Sequence, residues 1–278
     1  MLAFQNAIKM ADKEATDLFD IALDERSVYC GKLHSVLKSA IENIIHKKGC
    51  FQSMIRDSYT QNYSWAFLDA ELIYGICNFL KSKTCLSVMS GKGNLEAQLF
   101  SKCCDIVATD KIGITHPHTS PTSGFVVREC DAIKAVRTYN KDVLLISWPP
   151  YADPIGEKVL KFALQVGFKY IIYIGESKTG CCATYEFFET LSKMTTEIKS
   201  VEMLCFGGLW DSCTVYESKL DKKTTDVKFR SHFLNKKIHS FVSHNSLLKN
   251  KILKKRVKEY FNVKLGRKHI NFLKSLIE

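Results

Sequence analysis

Two glycines, two aspartates and a proline pair stand where a ligand-binding sheet would present them. Gly91 and Gly93 lie in SVMSGKGNLEAQLF, Asp110 ends DIVATD, Asp131 lies in RECDA, and DVLLISWPPYADP carries Ser147, Trp148, Pro149, Pro150 and Tyr151. A glycine turn running into a helix lets a ligand approach the backbone and turns helix N-terminal N–H groups towards it. An acid about 20 residues further on is placed to accept hydrogen bonds from ribose hydroxyls. Asp131 suits the exocyclic amine of adenine, or else the N-cap of the AIKAV helix. Lys92 falls between the glycines, so P-loop spacing is absent, and the chain has no full Gly-x-Gly-x-x-Gly turn for a nicotinamide enzyme.

The proline pair raises its own question. Prolines cannot donate to a sheet ladder, so they stop the strand and leave two carbonyls without local partners. Either a tight turn or a ligand uses them. Trp148 and Tyr151, with Trp65 from YSWAF, suit a flat aromatic pocket for a planar group, or packing under loops. Glu176 in YIGES is a candidate general base or substrate contact, or a helix cap. No metal is expected: His116 and His118, assigned to a loop beside the ligand, lack partners at metal spacing, and the eleven cysteines form no C-x-x-C pair. The adjacent pairs Cys103-Cys104 and Cys181-Cys182 suit reduced thiols, hence an intracellular, reducing compartment: the cytoplasm, with the nucleus as the alternative.

The elements that must position these residues are an α/β set. Helices are expected in AIKMADKEATDLFDIALDE, in KLHSVLKSAIENIIHK, which Gly49 would end, and in YSWAFLDAELIYGICNFLKSK. Five β-rich runs follow, TCLSVMS, DIVATD, GFVVREC, DVLLISW and KYIIYIGES, and their alternation with helical segments predicts a parallel sheet. YEFFETLSKM reads as a helix, and VEMLCFGGLWDSCTVYES as two antiparallel edge strands joined tightly through Gly207-Gly208. The expected division is an N-terminal helical segment 1–58, a catalytic domain 59–220 and a basic helical extension 221–278. That extension holds 16 Lys and Arg against 4 Asp and Glu, leaving 24 against 25 in residues 1–220. Concentrated basicity predicts an anionic partner, RNA or DNA or else an anionic membrane surface, or a solvated helical face. No transmembrane segment or secretory leader is read; the longest apolar runs fall well short of the ~20 residues that a span needs.

Taken in order, the glycine turn, the acids after the second and third strands and the Pro-Pro-aromatic run after the fourth resemble the class I S-adenosylmethionine-dependent methyltransferases. More narrowly, YSWAF, GKG, LLISWPPY and YIIYIGE are similar to a methyltransferase-like group with a Trp-Pro-Pro-Tyr motif, over about residues 60–218. The resemblance implies a Rossmann-like seven-stranded sheet with an antiparallel edge hairpin, and S-adenosylmethionine as cofactor. It puts Gly91 and Gly93 against the methionine portion, Asp110 on the ribose, Asp131 on adenine and Ser147 towards the sulfonium. The family's first glycine falls at Met89, and its acid at the end of the first strand falls at Ser87. In similar amino-methyltransferases the Pro-Pro-aromatic loop offers a side-chain oxygen and a backbone carbonyl to an amine, orienting its lone pair, while the aromatic stacks on the substrate. Here Trp148 stands directly before the prolines and Ser147 one place further back. The implied function is a methyltransferase of unknown acceptor, a nucleic-acid base amine being one class. The alternative is a catalytically degenerate binding module that works through its basic tail.

Overall fold

Val143, Leu144, Leu145 and Ile146 are fully buried, and in the computed structural model of the chain they form the middle of a seven-stranded sheet. The structure describes residues 2–24, 28–29, 31–111, 125–177 and 180–220. The chain divides into two compact units, Met1–Asp221 and Lys222–Glu278. The second unit, with the expected basic helices, lies outside the described residues, as does the loop carrying His116 and His118.

The first unit opens with α1 (Leu2–Ala22), a short hairpin of β1 (Val28–Tyr29) and β2 (Lys32–Leu33), α2 (Ser35–Ile45) and α3 (Cys50–Asn62). Then come α4 (Ala70–Leu80), β3 (Thr84–Val88), α5 (Asn94–Ser101), β4 (Asp105–Asp110), β5 (Val127–Glu129), α6 (Ala132–Thr138) and β6 (Val143–Ser147). The unit closes with α7 (Ile155–Val166), β7 (Tyr170–Gly175), α8 (Tyr185–Met194), β8 (Thr195–Val201) and β9 (Ser212–Ser218). The sheet order is β5-β4-β3-β6-β7-β9-β8. Neighbours from β5 to β7 are parallel, while β9 runs antiparallel to both β7 and β8. This is the Rossmann-like seven-stranded sheet with an antiparallel edge hairpin that the resemblance implied.

Strands covered on both faces read as unbroken apolar runs, and alternate residues divide between two cores. Cys85, Val143, Leu145, Ile172 and Ile174 face Leu72, Ile76, Leu95 and Leu99 of α4 and α5. Leu86, Val88, Leu144, Ile146 and Ile171 face α6, α7 and α8 through Ala135, Val136, Leu160, Leu164 and Phe187. Edge strand β8 instead exposes Glu197, with an irregularity between Glu197 and Lys199, a charged and kinked edge that resists further pairing. A third core gathers Ala15, Leu18, Ile41 and Tyr59 from the N-terminal helices and Phe67 from the α3–α4 connection with Leu204, Phe206 and Leu209.

Three sequence expectations shift. Gly49 starts α3 as its N-cap, while α2 has already ended at His46. The helix expected over residues 63–83 begins only at Ala70, because Asp69 caps it through Leu72 N and the Tyr59 hydroxyl takes up Leu68 N. The edge strand is Thr195–Val201 rather than the VEMLCF run, so Gly207-Gly208 sits inside a ten-residue connection. That connection is bound back to the body: Gly207 N donates to Ile45 O, and Leu204 N donates to Asp69 Oδ2 at 2.7 Å. Among the described residues no helix is long and apolar enough to cross a membrane.

Asp69 thus joins the start of α4 to the β8–β9 connection from a fully buried position. Asp69→Ala is expected to lower the unfolding free energy by about 3 kcal/mol, by loss of a cap and of a buried charged hydrogen bond. Urea titration measures it; a loss below about 1 kcal/mol would mean that solvent replaces both bonds.

Candidate cofactor and acceptor site

At the point where β3 and β6 lie side by side and the chain departs to opposite halves of the sheet, a cavity of about 940 Å³ opens at the carboxyl ends of the strands. Its floor comes from Met89, Ser90, Gly91, Asp110, Asp131 and Ser147, and its wall from Arg56, Gln61, Tyr63 and Trp65. Such a switch point is where open α/β sheets take ligands.

The glycine turn is held by the ends of two strands. Ser90 N donates to Thr109 O at 3.1 Å, Gly91 N to Asp110 Oδ2 at 2.8 Å, and Gly93 N to Ser90 O at 2.9 Å. Both glycines have left-handed backbone, for different reasons. A Cβ on Gly91 would meet nothing within 4 Å, so its backbone is open to the cavity; one on Gly93 would lie 2.3 Å from Val127 Cγ2, so Gly93 lets α5 pack on β5. Met89 adopts φ +57°, at the position where the methyltransferases that the sequence resembles have their first glycine, with the cost of left-handed backbone on a side-chain-bearing residue. Its half-buried side chain packs against the core beneath α6 and α7.

Asp110 fixes the turn through Gly91 N and lines the cavity at the end of β4. Asp131 lines it too, and its Oδ1 also accepts from Ile133 N and Lys134 N as the N-cap of α6. Ser87 does not reach the cavity. It is fully buried, and its hydroxyl donates to Glu96 Oε1 at 2.5 Å while receiving a bond from Ser90 Oγ at 3.0 Å. Glu96 itself lines the cavity, is 1% exposed, and keeps Oε2 without a hydrogen-bond partner among the described residues. Burial pushes its carboxyl up to about 7 against the hydrogen bond from Ser87, with the Asp110 charge adding to the rise. The sequence reading missed Glu96 because a glutamate in the first turn of a helix ordinarily reads as a cap.

The proline loop is built as a rigid wall. Trp148 N donates to Ile174 O, Ala183 N to Pro149 O, Ala152 N to Ala183 O, and Asp153 N to Pro150 O at 2.8, 3.0, 3.0 and 3.4 Å. Both proline carbonyls therefore accept the protein's own amides, and the structural turn accounts for them. Pro149 is buried; Ser147, Trp148 and Pro150 line the cavity. Trp148 stacks on Trp65, with centroids 5.6 Å apart and planes 23° apart. Trp65 is 57% exposed, so the pair presents an aromatic face at the cavity wall. Tyr151 is 69% exposed and is not among the lining residues.

Glu176 is placed away from chemistry. Its buried carboxylate accepts Cys181 N at 2.6 Å and Trp210 N at 3.1 Å, so both oxygens are spent on backbone amides. Gly180 is required beside it, since a Cβ there would come within 2.3 Å of Glu176 Cβ. Asp211, another acid that the sequence reading missed, faces the indole N–H of Trp148, although neither group closes a hydrogen bond of normal geometry. Burial raises the Asp211 carboxyl to about 7, opposed by Trp148 and the Arg56 charge. Nothing in its local sequence, Trp-Asp-Ser after a glycine pair, distinguishes it from a loop acid.

Glu96 and Asp211 each hold a proton more tightly folded than unfolded, their ordinary values of 4.5 and 3.8 rising to about 7. Their contribution to stability is complete below about pH 4 and is lost as pH rises through about 7. The thermal midpoint is therefore expected to fall between about pH 5 and pH 8, and Glu96→Gln and Asp211→Asn are each expected to flatten that slope. Calorimetric scans across this range check it; variant profiles parallel to the wild type would separate both carboxyls from the linkage.

No family model matches the chain, and no curated protein matches it. Solved structures resemble it distantly. A Thermoplasma acidophilum protein, 1320, is 14% identical, with a TM-score of 0.39 over 66% of this chain and 98% of that one. Magnesium protoporphyrin IX methyltransferase (ChlM) from Synechocystis PCC 6803 with bound SAM is 6% identical, with a TM-score of 0.40 over 66% and 92%. The N-methyltransferase NodS from Bradyrhizobium japonicum WM9 is 9% identical, with a TM-score of 0.35 over 50% and 89%. At these scores the likenesses carry no weight for function, which rests on the cavity.

Proposed function

We propose that the cavity binds S-adenosylmethionine and that the protein transfers its methyl group to a nucleophilic acceptor. One observation carries this reading: residues singled out at the ends of four separate strands, Gly91, Asp110, Asp131 and Ser147, line one cavity large enough for a nucleoside with an amino-acid arm. The residues fit such a ligand. Gly91 leaves its backbone open, Asp110 offers a carboxylate for ribose hydroxyls, Asp131 lies at the same end of the sheet for an adenine amine, and Glu96 has a buried oxygen lacking a donor among the described residues. When bound, S-adenosylmethionine supplies an electrophilic methyl group on a cationic sulfonium.

The chain's own part is positioning and exclusion of water. With both proline carbonyls engaged internally, an acceptor would be held by the Ser147 hydroxyl and the Trp65–Trp148 face rather than by Pro149 or Pro150. A stacked aromatic face suits a planar acceptor, and the basic extension 221–278 supports RNA or DNA, with a base amine as the acceptor class. A second reading, a fold that binds without turning over, is favoured by Met89 in the glycine's place and by the loss of the strand-end acid at Ser87.

Titration calorimetry of the full chain with S-adenosylhomocysteine tests the cofactor assignment. Saturable binding is expected, weakened about tenfold or more in Asp110→Ala by loss of charge-assisted hydrogen bonds, with NAD giving none. No binding by the folded wild type would overturn the assignment. Binding without methyl transfer to RNA, DNA, protein or small amines would favour the second reading.

A further inference from the structure

β3 ends in a serine, and an acid returns to the same place from the next helix. Ser87 Oγ, fully buried, donates to Glu96 Oε1 at 2.5 Å, and Ser90 Oγ completes the chain by donating to Ser87 Oγ at 3.0 Å. The two serines thus fix one oxygen of the carboxylate and leave the other, Oε2, buried without a partner among the described residues, on a side chain that lines the cavity. A capping role does not account for it: Gly93 N, the amide that a first-turn glutamate would reach back to, is already bonded to Ser90 O. A buried acceptor without a donor is costly, and a cationic N–H donor is the strongest group to relieve it.

We propose that Glu96 replaces the missing strand-end acid and accepts the α-ammonium group of the cofactor's amino-acid arm; this assignment rests on the methyltransferase reading of the cavity. Ser87 and Ser90 are then positioning residues that hold the carboxylate in one rotamer. The first turn of α5 favours the negative charge through the amides at the helix start. The acid and its strand have separated in sequence by nine residues while remaining in contact.

The test compares two nucleosides on the full chain by calorimetry: S-adenosylhomocysteine, which carries the α-ammonium, and 5′-methylthioadenosine, which lacks the amino-acid arm. Glu96→Gln, which keeps the shape, is expected to weaken S-adenosylhomocysteine about tenfold and to leave 5′-methylthioadenosine within about twofold. Ser87→Ala, which frees Oε1, is expected to show the same preference at about threefold. Equal weakening of both nucleosides would make Glu96 a structural residue, and no change in either would remove it from the site; each result overturns the proposal. If the wild type binds 5′-methylthioadenosine and S-adenosylhomocysteine equally, the cofactor reading survives and the Glu96 assignment falls. If it binds neither, both fall together.

Discussion

Trp148 is the constraint around which the rest is arranged. It sits in left-handed backbone at φ +47°, its N–H is tied to Ile174 O, and its ring packs against all three hydrophobic cores. A bulky residue in that conformation is strained and persists only where its surroundings over-determine it. Here they do: Trp65 covers one face, and the Pro149–Ala183 and Ala152–Ala183 bonds lock the loop beyond it. The wall of the cavity and the junction of the cores are therefore one residue.

Around that junction the site concentrates groups that a stability-optimised interior would avoid. Met89 is strained, and among the described residues the buried carboxyl oxygens of Glu96 and Asp211 are short of donors and the indole N–H of Trp148 is unsatisfied. Elsewhere the buried acids are fully used, Asp69 on Leu72 N and Leu204 N, and Glu176 on Cys181 N and Trp210 N. Incomplete satisfaction that, among the described residues, is confined to one region is what a binding site looks like when local rules are broken for a purpose.

The sheet was legible because fully buried strands write continuous apolar runs, and VLLI and YIIYI could hardly be anything else. The carboxyl-end residues followed from strand position alone, and Gly91, Asp110, Asp131, Ser147 and Trp148 line one cavity. What the sequence concealed was long-range. Nothing near YSWAFLDA shows that Tyr59 and Asp69 will consume the Leu68 and Leu72 amides and delay the helix. The edge strand TTEIKSV carries polar residues because it is an edge, and the more apolar VEMLCF looked the better candidate. Glu96 and Asp211 acquire meaning only from burial, which no spacing rule registers. Glu176 and Tyr151 were singled out by proximity to strand ends, yet one is spent on amides and the other faces outwards.

The two sides of the cavity have different parentage. The floor is the sheet's own, while the wall of Arg56, Gln61, Tyr63 and Trp65 comes from the N-terminal helical layer, attached to the floor where Asn94 donates to Tyr63 O. A pocket assembled this way has two registers of variation. Changes at Arg56 and Gln61 on α3 alter what is admitted while the backbone bonds of the glycine turn, made to Thr109, Asp110 and Ser90, stay in place, so grip and selection can evolve separately on the same scaffold.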